Sequence, residues 1–524
     1  MTLYHNATFL TQNPAQPQAT AMVVRDGVIE AIGSEDGLHS HKIDKRVDLN
    51  GKWVLPGFND AHIHVWKVGQ LDSFIIDLRG VESITKLQQK VKAVADSLSK
   101  GTWIVGRGFN EAVLAERRMP TKEDLDLISA EHPIYLIRTC AHIAATNSLA
   151  IQKAKVNKQT IAPHGGVIGK TDAGELTGIF YETAIGLVAN HIPPPTKEEY
   201  QRMILLGAQK LLRVGVTSAT DPAVHPELLE AYVDLHKKGE LPIRMNLMPI
   251  LLPDGGSKPY PIPEKFESDW LTINTVKFFS DGGLSGKTAA LKRNYKNSQD
   301  HGVLRLQRDH FLALASEAQG KGFRIGTHSI GDKALDLVID VYKALHQKFG
   351  NTRNRIEHFG LPSDQNIQDV ATFGLVPVPQ TIFIDELGEN FIQALDEDYL
   401  KRCYPIKSLL DKNIPVALST DAPVVKNVNP WSGIKAAVTR ATAKGNIISP
   451  NEAITLGEAI HAYSSGGAYA EAKEKFKGTL EPGKAADFII VDKNPFHVSI
   501  DEIESISVLS TYINGVKAYS QTDI

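Results

Sequence analysis

The middle of this 524-residue chain alternates short apolar runs with helical stretches, and this alternation constrains the fold more than any other feature. Such a pattern is typical of repeated βα units, whose strands form a parallel sheet. Eight of the apolar runs are candidate strands, which is the number that a closed (β/α)8 barrel requires. We therefore predict an α/β protein built on a barrel of the TIM type. The candidate strands are Trp53–Phe58, Val214–Ala219, Ile243–Pro249, Thr272–Phe279, Phe323–Thr327, Arg353–Glu357, Gly374–Val378 and Pro415–Ser419.

The two ends of the chain and one long interval depart from this pattern. Residues 1–52 and 478–524 contain short strand-like runs and turns, so we predict that the two termini together form a small β-sandwich. Residues 65–210 separate the first candidate barrel strand from the second and contain strand-like runs of their own. We predict that this segment is an inserted domain covering the barrel mouth, where loops carry function in such barrels. The barrel then comprises residues 53–64 and 211–477.

Composition excludes several classes of protein. With 57 Lys and Arg against 60 Asp and Glu, the net charge is −3, so no overall basic field exists for nucleic acid. No apolar run approaches the roughly 18 residues of a membrane span. The N-terminal residues lack a secretory pattern, and the two cysteines, Cys140 and Cys403, are too few for a disulfide framework. We expect a cytoplasmic protein that acts on a small molecule, with neither nucleic acid nor membrane as a partner.

A His-X-His motif, His62 and His64, follows the first candidate strand. Residues i and i+2 of an extended segment point the same way, so both imidazoles can reach one ion. The motif alone is equally compatible with two structural histidines. Its significance comes from similar residues at the ends of other candidate strands.

Four further polar residues lie at or near the ends of other candidate strands. Lys277 lies near the end of the fourth strand, His328 closes the fifth, His358 closes the sixth and Asp421 closes the eighth. A lysine within an apolar strand is costly unless it is neutralised or paired. Lys277 is therefore expected either to be carboxylated by carbon dioxide, as a carbamate able to bridge two metals, or to pair with a carboxylate such as Asp281. With the His-X-His motif, these residues form a six-residue constellation at one barrel face.

Nitrogen and carboxylate ligands around open positions suit a divalent metal. Zn²⁺ is the expected ion, with one or two per chain, and Mn²⁺, Fe²⁺ or Co²⁺ fit the same geometry. Such an ion lowers the pKa of bound water to about 7 and polarises the scissile carbonyl. We expect Asp421 to accept the water proton and to pass it to the leaving amine. The predicted chemistry is metal-assisted hydrolysis.

Motifs spread over nearly the whole chain match one superfamily in order. They are VLPGFNDAHIH, RMPTKEDLD, NSLA, PHGGVI, TGIFYETA, GVTSATD, VKFFSDGGLSGKTAAL, HSIGDKALD, RIEHF, STDAPV, NPWSGIKAAVTR and GTLEPGKAADFIIVDKNPF. On these motifs the chain resembles the amidohydrolase superfamily, and within it the YtcJ-like (amidohydrolase 3) branch that includes N-substituted formamide deformylases. The resemblance implies a β-sandwich with a (β/α)8 barrel, hydrolysis of amide-like bonds, a binuclear metal site with carboxylated lysine, and a homodimer as a reasonable expectation. It places metal ligands on His62, His64, Lys277, His328, His358 and Asp421.

One stretch departs from the family pattern. Where the family commonly shows Arg-X-Asp-Gly-His, this chain has an arginine, a threonine, Cys140, an alanine and His142. His142 and Cys140 are therefore candidates to face the substrate from the insertion, with Glu182 as a further pocket candidate. In the barrel loops, Asp281 and Gln380 are the candidates for substrate contact.

Three functional classes follow from these observations. The leading hypothesis is hydrolysis of a non-peptide amide-type C–N bond in a formamide, N-acyl amine, carbamate or cyclic imide. The alternative is a metal-dependent deaminase of an aminated heterocycle, although deaminases of this superfamily usually use one metal and no carboxylated lysine, so Lys277 argues against it. A non-catalytic scaffold with this fold is the third hypothesis, but such proteins lose ligands, and all six are present here.

Overall fold

A computed structural model describes residues 1–38, 41–71, 73–138, 143–163, 165–254, 256 and 258–523. Two of the candidate substrate residues, Cys140 and His142, lie outside these residues. The chain divides into two compact units. The first unit comprises Met1–Val65 and Gly207–Ile524, and the second comprises Trp66–Leu206, which falls within the segment predicted as an insertion.

Strands are numbered in chain order over the described residues. They are β1 Thr2–Leu10, β2 Gln18–Ala19, β3 Ala21–Arg25, β4 Val28–Gly33, β5 Lys45–Pro56, β6 Phe58–Asp60, β7 Ile75–Asp77, β8 Ile104–Phe109, β9 Ile134–Arg138, β10 Ile143–Thr146, β11 Gly166–Lys170, β12 Leu176–Glu182, β13 Val216–Val224, β14 Arg244–Pro249, β15 Phe266–Glu267, β16 Leu271–Ile273, β17 Thr275–Phe279, β18 Arg324–Ser329, β19 Arg355–His358, β20 Val376–Val378, β21 Phe488–Val491, β22 Val508–Ile513 and β23 Val516–Ser520.

The α-helices follow the same numbering. They are α1 Val65–Leu71, α2 Ile84–Ala95, α3 Lys122–Asp126, α4 Ser148–Lys153, α5 Gly186–Ala189, α6 Lys197–Arg213, α7 Pro226–Lys238, α8 Arg308–Gly320, α9 Asp332–Phe349, α10 Asp364–Phe373, α11 Ile382–Ala394, α12 Glu397–Leu400, α13 Lys407–Leu410, α14 Pro430–Thr439, α15 Leu456–His461 and α16 Gly467–Ala470. Within the described part of the chain, no helix is long and apolar enough to cross a membrane.

Strands from both termini form one sheet in the first unit. Its order is β23-β22-β21-β5-β1-β3-β4, with β2 paired to β1. A buried apolar cluster that includes Phe9, Val54, Phe488 and Tyr512 covers one side of this sheet. The rings of Phe488 and Tyr512 are stacked with centroids 4.5 Å apart. Strand β5 is mostly exposed over its first half and buried over its last three residues, where it leads to the next sheet.

The chain passes from this terminal sheet to the next sheet at Gly57. Trp53–Phe58 was predicted as the first barrel strand, but residues up to Pro56 belong to β5, and only Phe58–Asp60 pairs with β13. The prediction was wrong because one apolar run continues through both strands, so periodicity cannot show where one ends. A Cβ added at Gly57 would lie 2.3 Å from Thr217 Oγ1, which leaves no room for a side chain at this crossing point.

Substituting this glycine should therefore test the crossing directly. Gly57→Ala is expected to lower the free energy of unfolding by about 1–3 kcal/mol, because Thr217 is buried and cannot move away. Gly320→Ala is the matched control, since nothing lies within 4 Å of a Cβ at that helix end. Urea denaturation of both variants measures the difference, and equal stabilities would contradict the packing argument.

Two parallel sheets of the first unit carry the βα pattern. One contains β15-β16-β14-β13-β6 and the other contains β17-β18-β19-β20, and all their pairings are parallel except β15 with β16. A parallel bridge between Ile250 and Lys277 connects the two sheets. Helix α7 connects β13 to β14, and helices α8, α9 and α10 connect the successive strands from β17 to β20. His328 and His358 lie at the carboxyl ends of β18 and β19, with ring centroids 4.3 Å apart.

The segment Pro415–Ser419, which was predicted as the eighth strand, does not form a regular strand. The segment instead makes single backbone hydrogen bonds, from Ala61 N–H to Leu418 C=O and from Leu418 N–H to Ala462 C=O. The expectation of a regular strand was wrong because these bonds run to different elements and do not form a ladder. The segment nevertheless lies beside β6.

A buried ion pair links the terminal sheet to β14. Arg244 at the start of β14 donates from Nε to Asp487 Oδ2 at 2.6 Å and from Nη2 to Asp487 Oδ1 at 2.9 Å. The same guanidinium donates to Asn514 Oδ1 at 2.5 Å. Both members of the pair are buried, and Arg244 also stacks against Trp270 and Phe476.

The second unit has its own sheet and its own core. The strand order is β11-β12-β10-β9-β8-β7, so strand-like runs of the segment predicted as an insertion form a sheet within this unit. Helix α2 packs Leu87 and Val91 against this sheet. The unit therefore holds a core separate from that of the parallel sheets.

Candidate metal centre

Three side chains converge where β6 meets the segment that ends at Asp421. The ligand atoms of His62, His64 and Asp421 all lie within 4.8 Å of one another. Asp421 Oδ1 lies 3.5 Å from His62 Nε2 and 3.4 Å from His64 Nε2. Two backbone hydrogen bonds fix the arrangement. Asp421 N–H donates to His62 C=O at 2.7 Å, and His64 N–H donates to Ala422 C=O at 2.9 Å. This donor set is compact enough for one ion.

Asp60 forms hydrogen bonds with both of the segments that carry these ligands. Its Oδ1 accepts the N–H of His62 at 3.2 Å and that of Thr420 at 3.1 Å, and its Oδ2 accepts the Thr420 hydroxyl at 2.6 Å. Burial raises the pKa of Asp60 to about 7, although these hydrogen bonds oppose the shift. The sequence reasoning missed Asp60. Its position two residues before His62 was the available signal, since i and i+2 share one side of a strand.

Side chains hold two of the buried histidines through their Nδ1 atoms. Glu357 Oε2 lies 2.6 Å from His62 Nδ1, and Gln380 Oε1 lies 2.7 Å from His358 Nδ1. The two imidazole rings have centroids 4.9 Å apart. Burial lowers the pKa of His62 to about 4 and that of His358 well below its ordinary value. Both rings are therefore neutral near pH 7, which is the form that binds metals.

His328 stands beside His358, with ring centroids 4.3 Å apart. Its Nε2 lies 3.1 Å from the carbonyl oxygen of Gly282 and 3.4 Å from Asp281 Oδ1. Burial, with the nearby charge of Lys277, lowers the pKa of His328 well below its ordinary value. The structure thus places the histidines from three strand ends side by side.

Lys277 is fully buried within β17. Its Nζ has no hydrogen-bond partner among the described residues and lies 4.6 Å from the centroid of the Phe279 ring. Burial lowers the pKa of Lys277 to about 8, although Glu357 and Asp421 oppose the shift. The expected alternative, pairing with Asp281, is wrong, because that carboxylate is occupied by backbone N–H groups at 2.8–3.1 Å.

His64 has a partner outside the convergent set. Its Nδ1 lies 3.8 Å from Asp221 Oδ1, and Asp221 Oδ2 accepts the Tyr232 hydroxyl at 2.6 Å. Asp221 is fully buried at the end part of β13. Sequence reasoning missed this residue also, although it stands in a strand beside β6.

The candidate substrate residues have different outcomes. Asp281 and Gln380 are fully buried, and their polar atoms are engaged by backbone groups and by other side chains. Both residues thus support the fold around the candidate ligands, and their contact with a substrate stays a prediction. Glu182 is exposed in the second unit. Cys140 and His142 lie outside the described residues.

The residues present fit a divalent transition metal. Neutral imidazole nitrogen and carboxylate oxygen are typical ligands of Zn²⁺ and similar ions. The set of His62, His64 and Asp421 supplies three such atoms, while the unpartnered amine of Lys277 lies among the same strand ends. A site with open positions around such ligands is suited to activating water.

Comparisons with known proteins agree with this geometry. The model of a family described as the amidohydrolase family matches residues 45–519. The amidohydrolase-family protein YtcJ of Bacillus subtilis is 28% identical over 99% of each chain, and an N-substituted formamide deformylase of Arthrobacter pascens is 26% identical over 99% of this chain and 98% of its own. An uncharacterized metal-dependent hydrolase of Pyrococcus horikoshii superposes with a TM-score of 0.80 at 27% identity, covering 95% of this chain and 99% of its own. The fold is of the TIM-barrel class.

Proposed function

The chain belongs to the amidohydrolase family, and from this premise we propose that it hydrolyses a non-peptide amide-type C–N bond in a small molecule. The observation that supports this proposal most is the convergence of His62, His64 and Asp421, with all ligand atoms within 4.8 Å. Formamides, N-acyl amines, carbamates and cyclic imides are the proposed substrates. The likeness to a formamide deformylase over the full chain supports this substrate class.

In the proposed reaction, some residues hold the metal ion and Asp421 transfers the proton. A divalent ion, when bound, lowers the pKa of water and polarises the scissile carbonyl. Asp421 accepts the proton of the attacking water and delivers it to the amine that leaves. The backbone hydrogen bond from Asp421 N–H to His62 C=O keeps its carboxylate beside the two histidines during both transfers.

Lys277 is proposed to be carboxylated, and its carbamate, with His328 and His358, would hold a second divalent ion. In this modification the neutral Nζ attacks the carbon of carbon dioxide, an N–C bond forms as one C–O π bond breaks, and the proton released from nitrogen passes to water, which gives a carbamate. A buried amine without a hydrogen-bond partner, whose pKa burial lowers to about 8, supports this reaction at neutral pH. The carbamate would replace a buried amine that has no hydrogen-bond partner among the described residues with an anionic ligand.

Two finer features of the fold accompany the proposal. The two parallel sheets are proposed to close into an eight-stranded barrel in which residues 415–419 occupy the eighth position. The terminal sheet is proposed to form the two layers of a sandwich, since Ile29 N–H bonds to Lys484 C=O and Ala486 N–H bonds to Gly27 C=O across it.

Metal content is the first test of this function. Elemental analysis of the purified chain is expected to give about two equivalents of transition metal per protomer, and chelation is expected to abolish hydrolysis of formamides, N-acyl amines or cyclic imides. Restoring zinc or manganese to the chelated protein should restore it.

The other outcomes discriminate between the hypotheses. One equivalent of metal per protomer would remain compatible with hydrolysis. It would also favour the deaminase alternative and remove the bridging role from Lys277. No metal after reconstitution with zinc and manganese would refute the proposed function.

A further inference from the structure

Arg355 and Glu357 form a fully buried ion pair on β19. Arg355 donates from Nε to Glu357 Oε1 at 2.8 Å and from Nη2 to Glu357 Oε2 at 3.0 Å. Neither side chain has any exposed surface. A buried pair of this kind costs desolvation energy that its own attraction barely offsets, so what else the pair contacts is informative.

Both members of the pair contact the segment that carries the His-X-His motif. Glu357 Oε2 lies 2.6 Å from His62 Nδ1. Arg355 Nη2 donates to the carbonyl oxygen of Ala61 at 2.7 Å. The pair therefore holds His62 at two points, through its ring and through the backbone of the residue before it.

The charge of Glu357 determines which nitrogen of His62 carries the proton. Arg355 donates one N–H to each oxygen of Glu357, which is the two-point geometry of a guanidinium paired with a carboxylate. An ionised carboxylate only accepts hydrogen bonds, so the ring must donate from Nδ1. The lone pair then lies on Nε2, the atom that faces Asp421 at 3.5 Å.

Gln380 holds His358 in a similar way but without charge. Its Nε2 donates to Val378 C=O at 3.0 Å and to Ser419 Oγ at 2.9 Å, which leaves Oε1 to accept from His358 Nδ1 at 2.7 Å. A neutral amide accepts a weaker hydrogen bond than a carboxylate does. The two histidines are thus oriented alike, but with partners of different strength.

We propose that Arg355 and Glu357 are positioning residues, which direct His62 Nε2 toward a metal and increase its affinity as a ligand, and that Gln380 does the same for His358 to a smaller extent. This inference rests on the proposed metal-dependent function. It concerns residues that touch the ligands and not the substrate. Partners of this kind commonly change metal affinity about 10–100-fold when they are replaced.

The test is the zinc affinity of purified variants, measured by competition with a chromophoric chelator. Glu357→Gln is expected to weaken zinc binding about 10–100-fold, and Gln380→Met is expected to weaken it less. Glu471→Gln is the matched control, because Glu471 is an equally buried carboxylate paired with Lys477 at 2.7 Å but touches no proposed ligand. All three variants are expected to melt at lower temperatures, so melting alone does not distinguish a positioning role.

Each outcome has a distinct meaning. Weaker binding in Glu357→Gln with unchanged affinity in Glu471→Gln supports the inference. Equal zinc affinity in both, with a wild-type protein that binds zinc, would overturn it while leaving the proposed function intact. A wild-type protein that binds neither zinc nor manganese would refute the proposed function itself.

A second variant covers the case in which Glu357→Gln does not fold. Glu357→Asp keeps the charge beside Arg355 but is one methylene shorter, so the carboxylate withdraws from His62. We expect weaker zinc binding and an altered visible spectrum of the Co²⁺-substituted protein. Wild-type affinity together with a wild-type Co²⁺ spectrum would overturn the positioning role.

Discussion

Asp421→Asn is expected to lower kcat/KM for the best amide-type substrate by about 10²–10⁴-fold, the range that a positioned general acid–base group contributes. The amide keeps the size and the backbone contacts of Asp421, including its N–H bond to His62 C=O. It lacks the basicity to accept a proton from water and therefore cannot pass one to the leaving amine. Steady-state hydrolysis, with metal content determined on the same sample, measures the effect.

Metal content separates the two roles assigned to Asp421. A variant that retains metal but loses turnover has lost proton transfer, whereas a variant that loses both has lost a ligand. Asp369→Asn is the matched control, because Asp369 on helix α10 is also buried and pairs with Lys343 at 2.7 Å, and it is not one of the candidate ligands. Wild-type turnover in Asp421→Asn would contradict the assigned chemistry.

Lys277→Met should lower activity by an amount comparable to that expected for Asp421→Asn. It should also raise the stability of the metal-free protein. Removing the proposed carbamate is expected to reduce the metal from two equivalents to one and to lower kcat by at least about 10²-fold, as loss of a metal that stabilises charge requires. The metal-free protein should become more stable, because an unpartnered buried amine is replaced by an apolar chain of similar volume. Elemental analysis, turnover and chemical denaturation with chelator together measure these changes.

The control for this variant is Lys477→Met. Lys477 is buried like Lys277, but its Nζ lies 2.7 Å from Glu471 Oε2, so its removal leaves a buried carboxylate unpaired. We expect that variant to lose about 3–5 kcal/mol of stability and to keep its metal. If Lys277→Met keeps two equivalents of metal and full turnover, the carbamate proposal is wrong.

The candidate ligands could be predicted because they depend on local sequence and on one general property of parallel sheets. His62 and His64 share a side by spacing alone, and the other ligands follow strands whose carboxyl ends meet at one edge. The partners of these ligands could not be predicted in the same way. Whether Glu357 touches His62 depends on the relative positions of β19 and β6, which are almost three hundred residues apart in the chain.

The hydrogen-bond partners of Gln380 and Asp281 were equally out of reach of sequence reasoning. Both residues stand in loops where substrate contact is expected from sequence, and their polar atoms also bond within the fold. The amino-acid order does not reveal which acceptors a buried amide or carboxylate will meet. Trp53–Pro56 was placed in the wrong sheet because apolar character is the same in both sheets, and only Gly57 marks the change between them.

The terminal sheet has a consequence for biosynthesis. Strand β5 pairs with β21, and Leu55 lies opposite Ile489, more than four hundred positions later in the chain. At the usual rate of about 5–20 residues per second, the ribosome needs roughly 20–90 s to make the missing partner. During that interval the apolar residues of β1 and β5 are in the cell without the strand that completes their sheet, and the Arg244–Asp487 pair cannot form. The nascent chain therefore exposes an incomplete apolar sheet throughout this interval, and chaperone binding during translation is expected to raise the yield of folded protein.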